Sequence, residues 1–401
     1  MIYLDSGATT LEKPPAVARA MAQAVGEMSS PGRGNYPASQ KAARTAYDCR
    51  EAAAELFHVP APEQVIFTCN ATHGLNIAIR TLVRPGCRVA VSGYEHNAVT
   101  RVLHSIPGVE IMVADAPLFR PEQMLEGFHT ALRRGVDAVI CNHVSNVFGC
   151  VQPVEELAGL CRRTHTPLIV DASQSAGILP VLLADWGAAF VAMPGHKGLY
   201  GPQGTGLLLC GAEASPLLYG GTGSASRRQT MPIDLPDRLE AGTHNMPGIA
   251  GLLEGLRFVS HAGVERIAQW ERRLTRRAEE GLARLPGVEV FVDKTGQGQT
   301  GVLSFCVKGM DCEQVGEELA RRQIAVRAGL HCAPLAHRTA GTLESGTIRI
   351  SPSVFNTEGQ INFFLREMRE ILRENTKKSV QDCQVHCEKK LKKINPDFRQ
   401  G

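Results

Sequence analysis

The stretch that decides the fold runs from residue 168 to residue 210, LIVDASQSAGILPVLLADWGAAFVAMPGHKGLYGPQGTGLLLC. It contains three short apolar runs, LIVD (168–171), AFVAM (189–193) and GLLLC (206–210), separated by polar and glycine-rich segments. Apolar runs of four or five residues between such breaks are typical of strands that are buried on both faces of a sheet. The stretch therefore predicts strands of an α/β sheet.

The same pattern extends towards the N-terminus. Further apolar runs are VIFT (65–68), RVAVS (88–92) and DAVIC (137–141), and residues 41–57 combine good helix formers with helical spacing of apolar residues. Short strands divided by helices are the mark of an α/β fold whose sheet is mostly parallel.

The pattern changes after about residue 255. A long amphipathic helix is predicted over 264–285, and the two strands predicted over 288–292 and 301–307 have mixed sides, which suits a sheet covered on one face. Helix starts are predicted at 311–314 and at 357–360, where the second has capping-box spacing before a helix over 361–372. These features predict a smaller α+β domain.

We therefore expect a large α/β domain from residues 19–254, a small α+β domain from residues 1–18 and 255–374, and a basic C-terminal tail from 375 to 401. The tail is expected to be a solvated helix or a mobile appendage. Its Cys383, His386 and Cys387 offer three ligands, which is short of a closed zinc site, so a basic helix face is the simpler interpretation and no metal site is expected.

Composition excludes several classes of protein. Of the 401 residues, 43% are hydrophobic and 21% are charged, which excludes a disordered chain. A formal charge of +3 gives no reason to expect nucleic acid or an anionic membrane as a partner, and no apolar window is long enough to cross a bilayer. The twelve cysteines are scattered through apolar runs and the N-terminus has no signal-peptide core, so we expect the reducing cytoplasm.

Two strand ends carry residues suited to a cofactor. Lys197, in PGHKGLYG directly after a predicted strand, is either a lysine that forms a Schiff base with pyridoxal phosphate or an ordinary lysine in a glycine-rich turn. Asp171, in VDASQSAG, is placed either to hold a cationic ring nitrogen or to cap a helix, and Gln174 follows three residues later. Each motif alone leaves both interpretations open.

Other candidate residues lie in comparable positions. Thr72, in FTCNATHGLN, stands where a strand leads into a helix, which makes either a phosphate cradle or a plain helix cap. His96 follows another strand and is either a proton carrier that stacks on a cofactor or a structural histidine. Cys332, in VRAGLHCAP, has Arg327 and His331 close by, and cationic neighbours favour a reactive thiolate over an inert buried thiol.

Taken in chain order, the motifs resemble those of a class V aminotransferase-fold enzyme, and more narrowly those of the cysteine desulfurase and selenocysteine lyase family. The resemblance covers nearly all of residues 1–372. The matching positions are Asp5-Ser6-Gly7-Ala8, Thr72, His96, Asn146, Asp171 with Gln174, His196-Lys197, Ala241-Gly242-Thr243, Arg327 with Cys332 in an R-x-G-x-H-C-A motif, and Arg349. The fold implied is the pyridoxal-phosphate-dependent transferase fold of type I, similar to aspartate aminotransferase.

The resemblance also implies a role for each position. Lys197 would hold the cofactor covalently, Asp171 would pair with its ring nitrogen, Gln174 would reach its ring oxygen and His96 would stack on the ring. The phosphate would be held by a set of residues that includes one from a second subunit, since members are homodimers: Thr72, His196 and the partner's Thr243. Asn146 and Arg349 would bind the substrate carboxylate, with Arg327 bordering the pocket, and Cys332 would accept sulfur. One departure is Pro194, where many relatives carry a phosphate-binding serine.

The function implied is conversion of L-cysteine to L-alanine with the sulfur left on Cys332 as a persulfide, for which a sulfur-acceptor protein is the expected partner. The alternatives are a selenocysteine lyase acting on L-selenocysteine, or another class V chemistry in which Cys332 is incidental. The short span between Cys332 and Arg349 implies that Cys332 lies on a comparatively short and ordered segment.

Overall fold

The computed structural model describes residues 1–32, 34–296 and 298–394, with 378–394 described as helical backbone only. Strands and helices are numbered along the chain. The strands are β1 (Ile2–Tyr3), β2 (Val65–Thr68), β3 (Arg88–Ser92), β4 (Glu110–Ala114), β5 (Ala138–Asn142), β6 (Leu168–Asp171), β7 (Phe190–Pro194), β8 (Gly206–Cys210), β9 (Val288–Phe291), β10 (Leu303–Val307), β11 (Ile324–Ala325), β12 (Arg327–Gly329) and β13 (Thr347–Ile350).

The helices follow the same numbering. They are α1 (Pro15–Glu27), α2 (Pro37–Leu56), α3 (Ala71–Leu82), α4 (Asn97–His104), α5 (Pro121–Arg133), α6 (Val154–Thr164), α7 (Leu183–Trp186), α8 (Met246–Ala262), α9 (Val264–Leu282), α10 (Cys312–Arg321), α11 (Pro334–Thr339) and α12 (Glu358–Ile394). None of these helices is both long and apolar enough to traverse a lipid bilayer.

The large sheet has seven strands in the order β2-β8-β7-β6-β5-β3-β4. Its strands run parallel except β8, which is antiparallel to both of its neighbours. Strands β5 to β8 are buried along their whole length because helices cover both faces, as the continuous apolar runs predict. The prediction of a mostly parallel α/β sheet is confirmed.

The second half of the chain builds a smaller antiparallel sheet in the order β12-β13-β10-β9. Its inner face packs on α9, α10 and α12 around an apolar core that includes Leu274, Phe305 and Phe364. Helix α8 runs across the predicted boundary at residue 255, and the division into two domains stays a prediction.

The C-terminal helix continues beyond residue 372 into the tail, for which a solvated helix was one of the two expected alternatives. A helix was expected over 361–372, whereas α12 continues from Glu358 to Ile394, so the backbone of the basic tail is helical to that point. Cys383, His386 and Cys387 lie outside the residues whose side chains the structure describes.

Candidate active site

Seven of the eleven predicted site residues line one cavity of about 230 Å³ at the carboxyl edge of the large sheet. They are Thr72, His96, Asn146, Asp171, Gln174, His196 and Lys197. The parallel strands β5, β6 and β7 all end at this edge, and ligands of open α/β sheets bind there. The cavity therefore brings together residues that are far apart in the sequence.

Lys197 is held in a tight turn that follows β7. The turn closes through hydrogen bonds from Gly195 N to Thr205 O at 2.9 Å and from Tyr200 N to Lys197 O at 2.9 Å. Burial lowers the pKa of the Lys197 amine to about 8, although the nearby Asp171 carboxylate favours the charged form. An amine with such a pKa supplies a neutral nucleophile near neutral pH more readily than a surface lysine does.

Two glycines let the lysine turn approach β6 closely. Gly177 has φ +82°, and a Cβ at this position would stand 2.2 Å from the carbonyl oxygen of Gly198. A Cβ on Gly198 would in turn stand 2.4 Å from the carbonyl oxygen of Ala176. The position of Lys197 relative to the segment after Asp171 therefore depends on both glycines.

Asp171 ends β6 as a buried carboxylate that faces the cavity. Its Oδ1 accepts a hydrogen bond from Ser173 N at 2.9 Å, so the side chain also orders the turn that follows the strand. Gln174 lies on this turn and donates from Nε2 to Gly7 O at 2.8 Å, which leaves its second amide hydrogen available. A buried carboxylate is stable beside a cation, and a protonated ring nitrogen is such a group.

The opposite end of the cavity suits an anion. Asn70 caps α3 by accepting a hydrogen bond from His73 N at 2.9 Å, and Ala71 and Thr72, in the first turn of this helix, line the cavity. The N-terminus of a helix favours negative charge, and Thr72 adds a hydroxyl. The predicted phosphate-binding residue Thr72 therefore lies at a helix N-terminus that faces the cavity, and its role stays a prediction.

His196 adds an unsatisfied group to the cavity wall. Its carbonyl accepts hydrogen bonds from Thr10 N at 3.1 Å and Lys13 Nζ at 3.1 Å, whereas its ring Nδ1 is buried without a partner. Burial and the nearby Lys197 and Lys13 amines lower the pKa of His196 to about 4, so the ring is neutral at neutral pH. A buried orphan nitrogen indicates a missing partner, and a phosphate oxygen fits it. Pro194 also lines the cavity and offers no hydroxyl.

His96 precedes α4 and lines the cavity. Its Nδ1 accepts a hydrogen bond from Ala98 N at 3.0 Å, so the neutral ring carries its proton on Nε2. Burial lowers the pKa of His96 despite the attraction of Asp171. The nitrogen that remains free to exchange a proton is therefore Nε2.

Arg349 is 2% exposed and is already paired. Its Nη2 lies 2.8 Å from Asp5 Oδ1, and its Nη1 donates to Asn146 O at 2.7 Å, while Nε is buried without a partner. Arg327 is half exposed and also binds Asp5, with 2.7 Å between Nη2 and Oδ2. Arg349, predicted to bind the substrate carboxylate, and Arg327, predicted to border the pocket, thus share the carboxylate of Asp5, and sequence reasoning did not assign this role to Asp5.

Cys332 is exposed, on a segment that Asn97 and the cavity-lining Asn146 hold in place. Asn97, next to His96, donates from its backbone to Cys332 O at 2.8 Å, and Asn146 donates from Nδ2 to His331 O at 2.8 Å. The segment 330–333 is closed by a further bond from Ala333 N to Leu330 O at 2.9 Å. These hydrogen bonds make the segment 330–333 a tight turn, and its expected order stays a prediction.

One part of the cysteine prediction is wrong. His331 was expected to be a cationic neighbour of Cys332, but the ring is buried, and burial together with the nearby Arg349 lowers the pKa of His331 to about 2. His331 is therefore neutral at neutral pH. Arg327 is the remaining cation of the predicted pair.

Thr243 does not line the cavity of its own chain. It is exposed and lies in a separate pocket of about 160 Å³ with Cys69, His73 and Leu218, beyond β2 at the edge of the large sheet. Its predicted contact with the phosphate of a second subunit is not tested by one chain. Among the described side chains, no group of three histidine, cysteine or acidic residues is arranged to hold a metal ion.

This chain is similar to known proteins in sequence and in fold. The family model described as Aminotransferase class-V matches residues 2–364. A protein described as a probable cysteine desulfurase from Methanothermobacter thermautotrophicus is 32% identical over 92% of this chain and 94% of its own length. A probable cysteine desulfurase from Mycolicibacterium paratuberculosis is also 32% identical over 92% of this chain, which spans 55% of that longer protein.

Solved structures show the same fold. The apo structure of a cysteine desulfurase from Thermococcus onnurineus NA1 superposes with a TM-score of 0.85 at 30% identity, over 93% of this chain and 95% of that one. The cysteine desulfurase CsdA from Escherichia coli, in an S-sulfonic acid form, gives a TM-score of 0.79 at 26% identity, over 92% of this chain and 94% of that one.

Proposed function

Because this chain belongs to the class-V aminotransferase family, we propose that it converts L-cysteine to L-alanine and that Cys332 accepts the sulfur atom. The chain is an enzyme of the cysteine desulfurase kind, and its cofactor is pyridoxal 5′-phosphate. One observation carries the role of Cys332: the cavity-lining Asn146 binds the carbonyl of His331, and Asn97, which follows the cavity-lining His96, binds the carbonyl of Cys332, which ties the segment of the exposed thiol to the cavity.

The residues of the cavity fit the cofactor. Lys197 would hold its aldehyde carbon, Asp171 its ring nitrogen and Gln174 its ring oxygen, while Thr72 and the orphan Nδ1 of His196 would bind its phosphate. The cofactor supplies an electron sink for negative charge at the substrate Cα.

Each side chain then has a chemical task. Lys197 Nζ removes the proton from Cα, and its lowered pKa near 8 suits proton transfer near neutral pH. Asp171 would keep the ring nitrogen of the bound cofactor charged, and His96 would move a proton at Nε2. Asn146 and Arg349 orient the substrate carboxylate.

Sulfur transfer balances without an added oxidant or reductant. The Cys332 thiolate attacks the sulfur of L-cysteine, so an S–S bond forms as the Cβ–S bond breaks, and the electrons of the broken bond stay with the carbon fragment. That fragment takes up protons and leaves as L-alanine, while Cys332 keeps an S–SH group. The sum is L-cysteine plus thiol giving L-alanine plus persulfide.

The test compares C332A with C87A in the cofactor-loaded protein. Cys87 is a partly exposed cysteine that lines neither the cavity nor the Thr243 pocket, so it controls for loss of a thiol. We expect C332A to lose alanine formation from L-cysteine and C87A to keep it, and mass spectrometry to find the extra sulfur on Cys332. Full alanine formation by C332A would refute the role of Cys332, and activity of C332A on L-selenocysteine alone would favour a selenocysteine lyase.

The role of His96 has its own test. We expect H96A to lower turnover and to change the absorbance of the bound cofactor, because the His96 ring would stack on the cofactor and exchange a proton. A variant that kept both the spectrum and the turnover would remove His96 from the mechanism.

We further propose a homodimer in which Thr243 completes the partner's phosphate site. Large apolar side chains are exposed near Thr243, among them Leu218 at 54% and Tyr219 at 76%, and a second copy would cover them. A mixture of K197A and T243A chains tests this arrangement. If Thr243 acts across the dimer, the mixed dimer has one complete site and recovers activity, whereas a threonine acting within its own chain gives no recovery.

The cellular setting is part of the proposal. The ten cysteines with described side chains are all free thiols, which supports the reducing cytoplasm as the compartment. The exposed position of Cys332 gives a sulfur-acceptor protein access to the persulfide. Incubating the persulfide form with small thiols and with candidate acceptor proteins, and following sulfur by mass spectrometry, measures this transfer.

A further inference from the structure

Two buried histidine rings lie next to each other close to Cys332: His331 precedes Cys332 in the same segment, and His337 lies in α11. His331 is 8% exposed and His337 is fully buried. His331 Nδ1 lies 3.3 Å from His337 Nε2, and the ring planes are within 11° of each other. His331 Nε2 lies 3.3 Å from Arg327 O, and His337 Nδ1 lies 2.8 Å from Thr342 Oγ1. The four groups form one continuous hydrogen-bonded chain.

The carbonyl of Arg327, at one end of this row of hydrogen bonds, fixes the direction of every hydrogen bond in it. The carbonyl of Arg327 can only accept, so His331 carries its proton on Nε2 and accepts at Nδ1. His337 must then donate from Nε2 and accept at Nδ1, and the hydroxyl of Thr342 must donate. Burial lowers the pKa of His331 to about 2 and that of His337 to about 4, which agrees with two neutral rings.

The hydrogen-bonded histidines support a backbone conformation at His331 and Cys332 that L residues rarely adopt. His331 has φ +50° and Cys332 has φ +55°, so two successive residues without a glycine occupy the left-handed region. Such strain persists where the surroundings fix the conformation. Here the hydrogen bonds from Asn97 and Asn146 to the carbonyls of Cys332 and His331 fix the backbone. The hydrogen bond to His337 fixes the His331 side chain.

We propose that Thr342 and His337 are positioning residues that act through His331 to hold the Cys332 thiol in place for sulfur transfer. This inference rests on the proposed role of Cys332 as sulfur acceptor. Thr342 sets the tautomer of His337, because without the hydroxyl donor the His337 ring is free to move its proton to Nδ1. Its Nε2 would then face the acceptor Nδ1 of His331, and the contact would be lost.

The first test uses T342V, which keeps the shape of threonine and removes the donor, with T342S as the conservative rescue. We expect T342V to lower kcat for alanine formation about tenfold or more, with little change in KM or in cofactor absorbance, since a small misplacement of a reacting group slows the chemical step strongly. T342S should restore kcat. The exposed Thr164 gives a control, T164V, which should leave kcat unchanged.

The second test removes dependence on the folding of T342V. Glutamine at 337 can place an amide donor where Nε2 stands, whereas asparagine is too short to reach His331. We therefore expect H337Q to keep more of kcat than H337N, and persulfide formation on Cys332 in a single turnover to follow the same order. Equal kcat in H337Q and H337N, or a T342V enzyme within twofold of the parent, would overturn the inference.

Failure of the inference is distinguishable from failure of the proposed function. If C332A keeps full alanine formation, the role of Cys332 is refuted whatever Thr342 and His337 do. If C332A is inactive while the variants at Thr342 and His337 behave like the parent, only the positioning role is refuted.

Discussion

The shared carboxylate of Asp5 gives the sharpest stability prediction. Asp5 contacts Arg349 at 2.8 Å and Arg327 at 2.7 Å, and Arg349 is buried whereas Arg327 is half exposed. In D5N the shape is kept and the charge is lost, which leaves the buried guanidinium of Arg349 without a counter-charge. The exposed pair with Arg327 adds little, because solvent screens it.

The expected loss of stability in D5N comes from the buried ion pair between Asp5 and Arg349. Removing one partner of a buried ion pair lowers the free energy of unfolding by about 3–5 kcal/mol, and the asparagine oxygen that remains as an acceptor places D5N near 3 kcal/mol. Urea unfolding followed by circular dichroism measures the shift in midpoint. The control is D234N, which removes an exposed aspartate.

A ligand gives the second readout for D5N. Asp5 and the two arginines carry a net charge of +1, and D5N raises this to +2. A bound carboxylate should therefore stabilise D5N more than it stabilises the parent, and L-alanine, the product, is a suitable ligand. A D5N midpoint equal to that of D234N, or equal stabilisation of D5N and parent by L-alanine, would show that Asp5 does not hold the arginines.

A buried carboxylate, a glycine and the C-terminal tail give the remaining predictions. Burial raises the pKa of Glu271 from 4.5 to about 8, so its contribution to stability is full below about pH 4.5 and is lost as the pH rises through 8. The free energy of unfolding should therefore fall by about 1.4 kcal/mol per pH unit between these values, and E271Q should remove that part of the slope in urea titrations at several pH values. G177A should displace Gly198 and with it the turn that carries Lys197, so cofactor uptake measured by absorbance should fall. The control is G86A, at φ +84° with no atom within 4 Å of the added Cβ, which should lower the free energy of unfolding by about 1 kcal/mol and bind cofactor normally. Deleting residues 375–401 should leave alanine formation from L-cysteine intact, and loss of cofactor binding in that truncation would contradict the expectation.

The order of strands and helices was largely predictable from the apolar runs. LIVD and GLLLC became strands with the predicted bounds, because a continuous apolar run between polar breaks has no other stable place than a doubly covered sheet. Strand β4 was not predicted, although EIMVA contains the apolar run 111–114; it lies at the sheet edge, where only its last residue is buried. The direction of β8 was not specified by its residues. The connection from β7 contains no helix, and a short connection returns the chain antiparallel.

In the candidate site, too, some features were predictable from the sequence and others were not. Sequence alone determined which residue types stand at the strand ends, so Lys197, Asp171 and Thr72 were found by position, since parallel strands end at one edge. Only the tertiary structure decided their electrostatic surroundings. The pairing of Asp5 with Arg349 joins residues 344 positions apart, and the neutrality of His331 depends on burial among groups from other elements. Charge state and hydrogen-bond partners depend on distance and solvent exposure in space, which the order of residues along a chain does not contain.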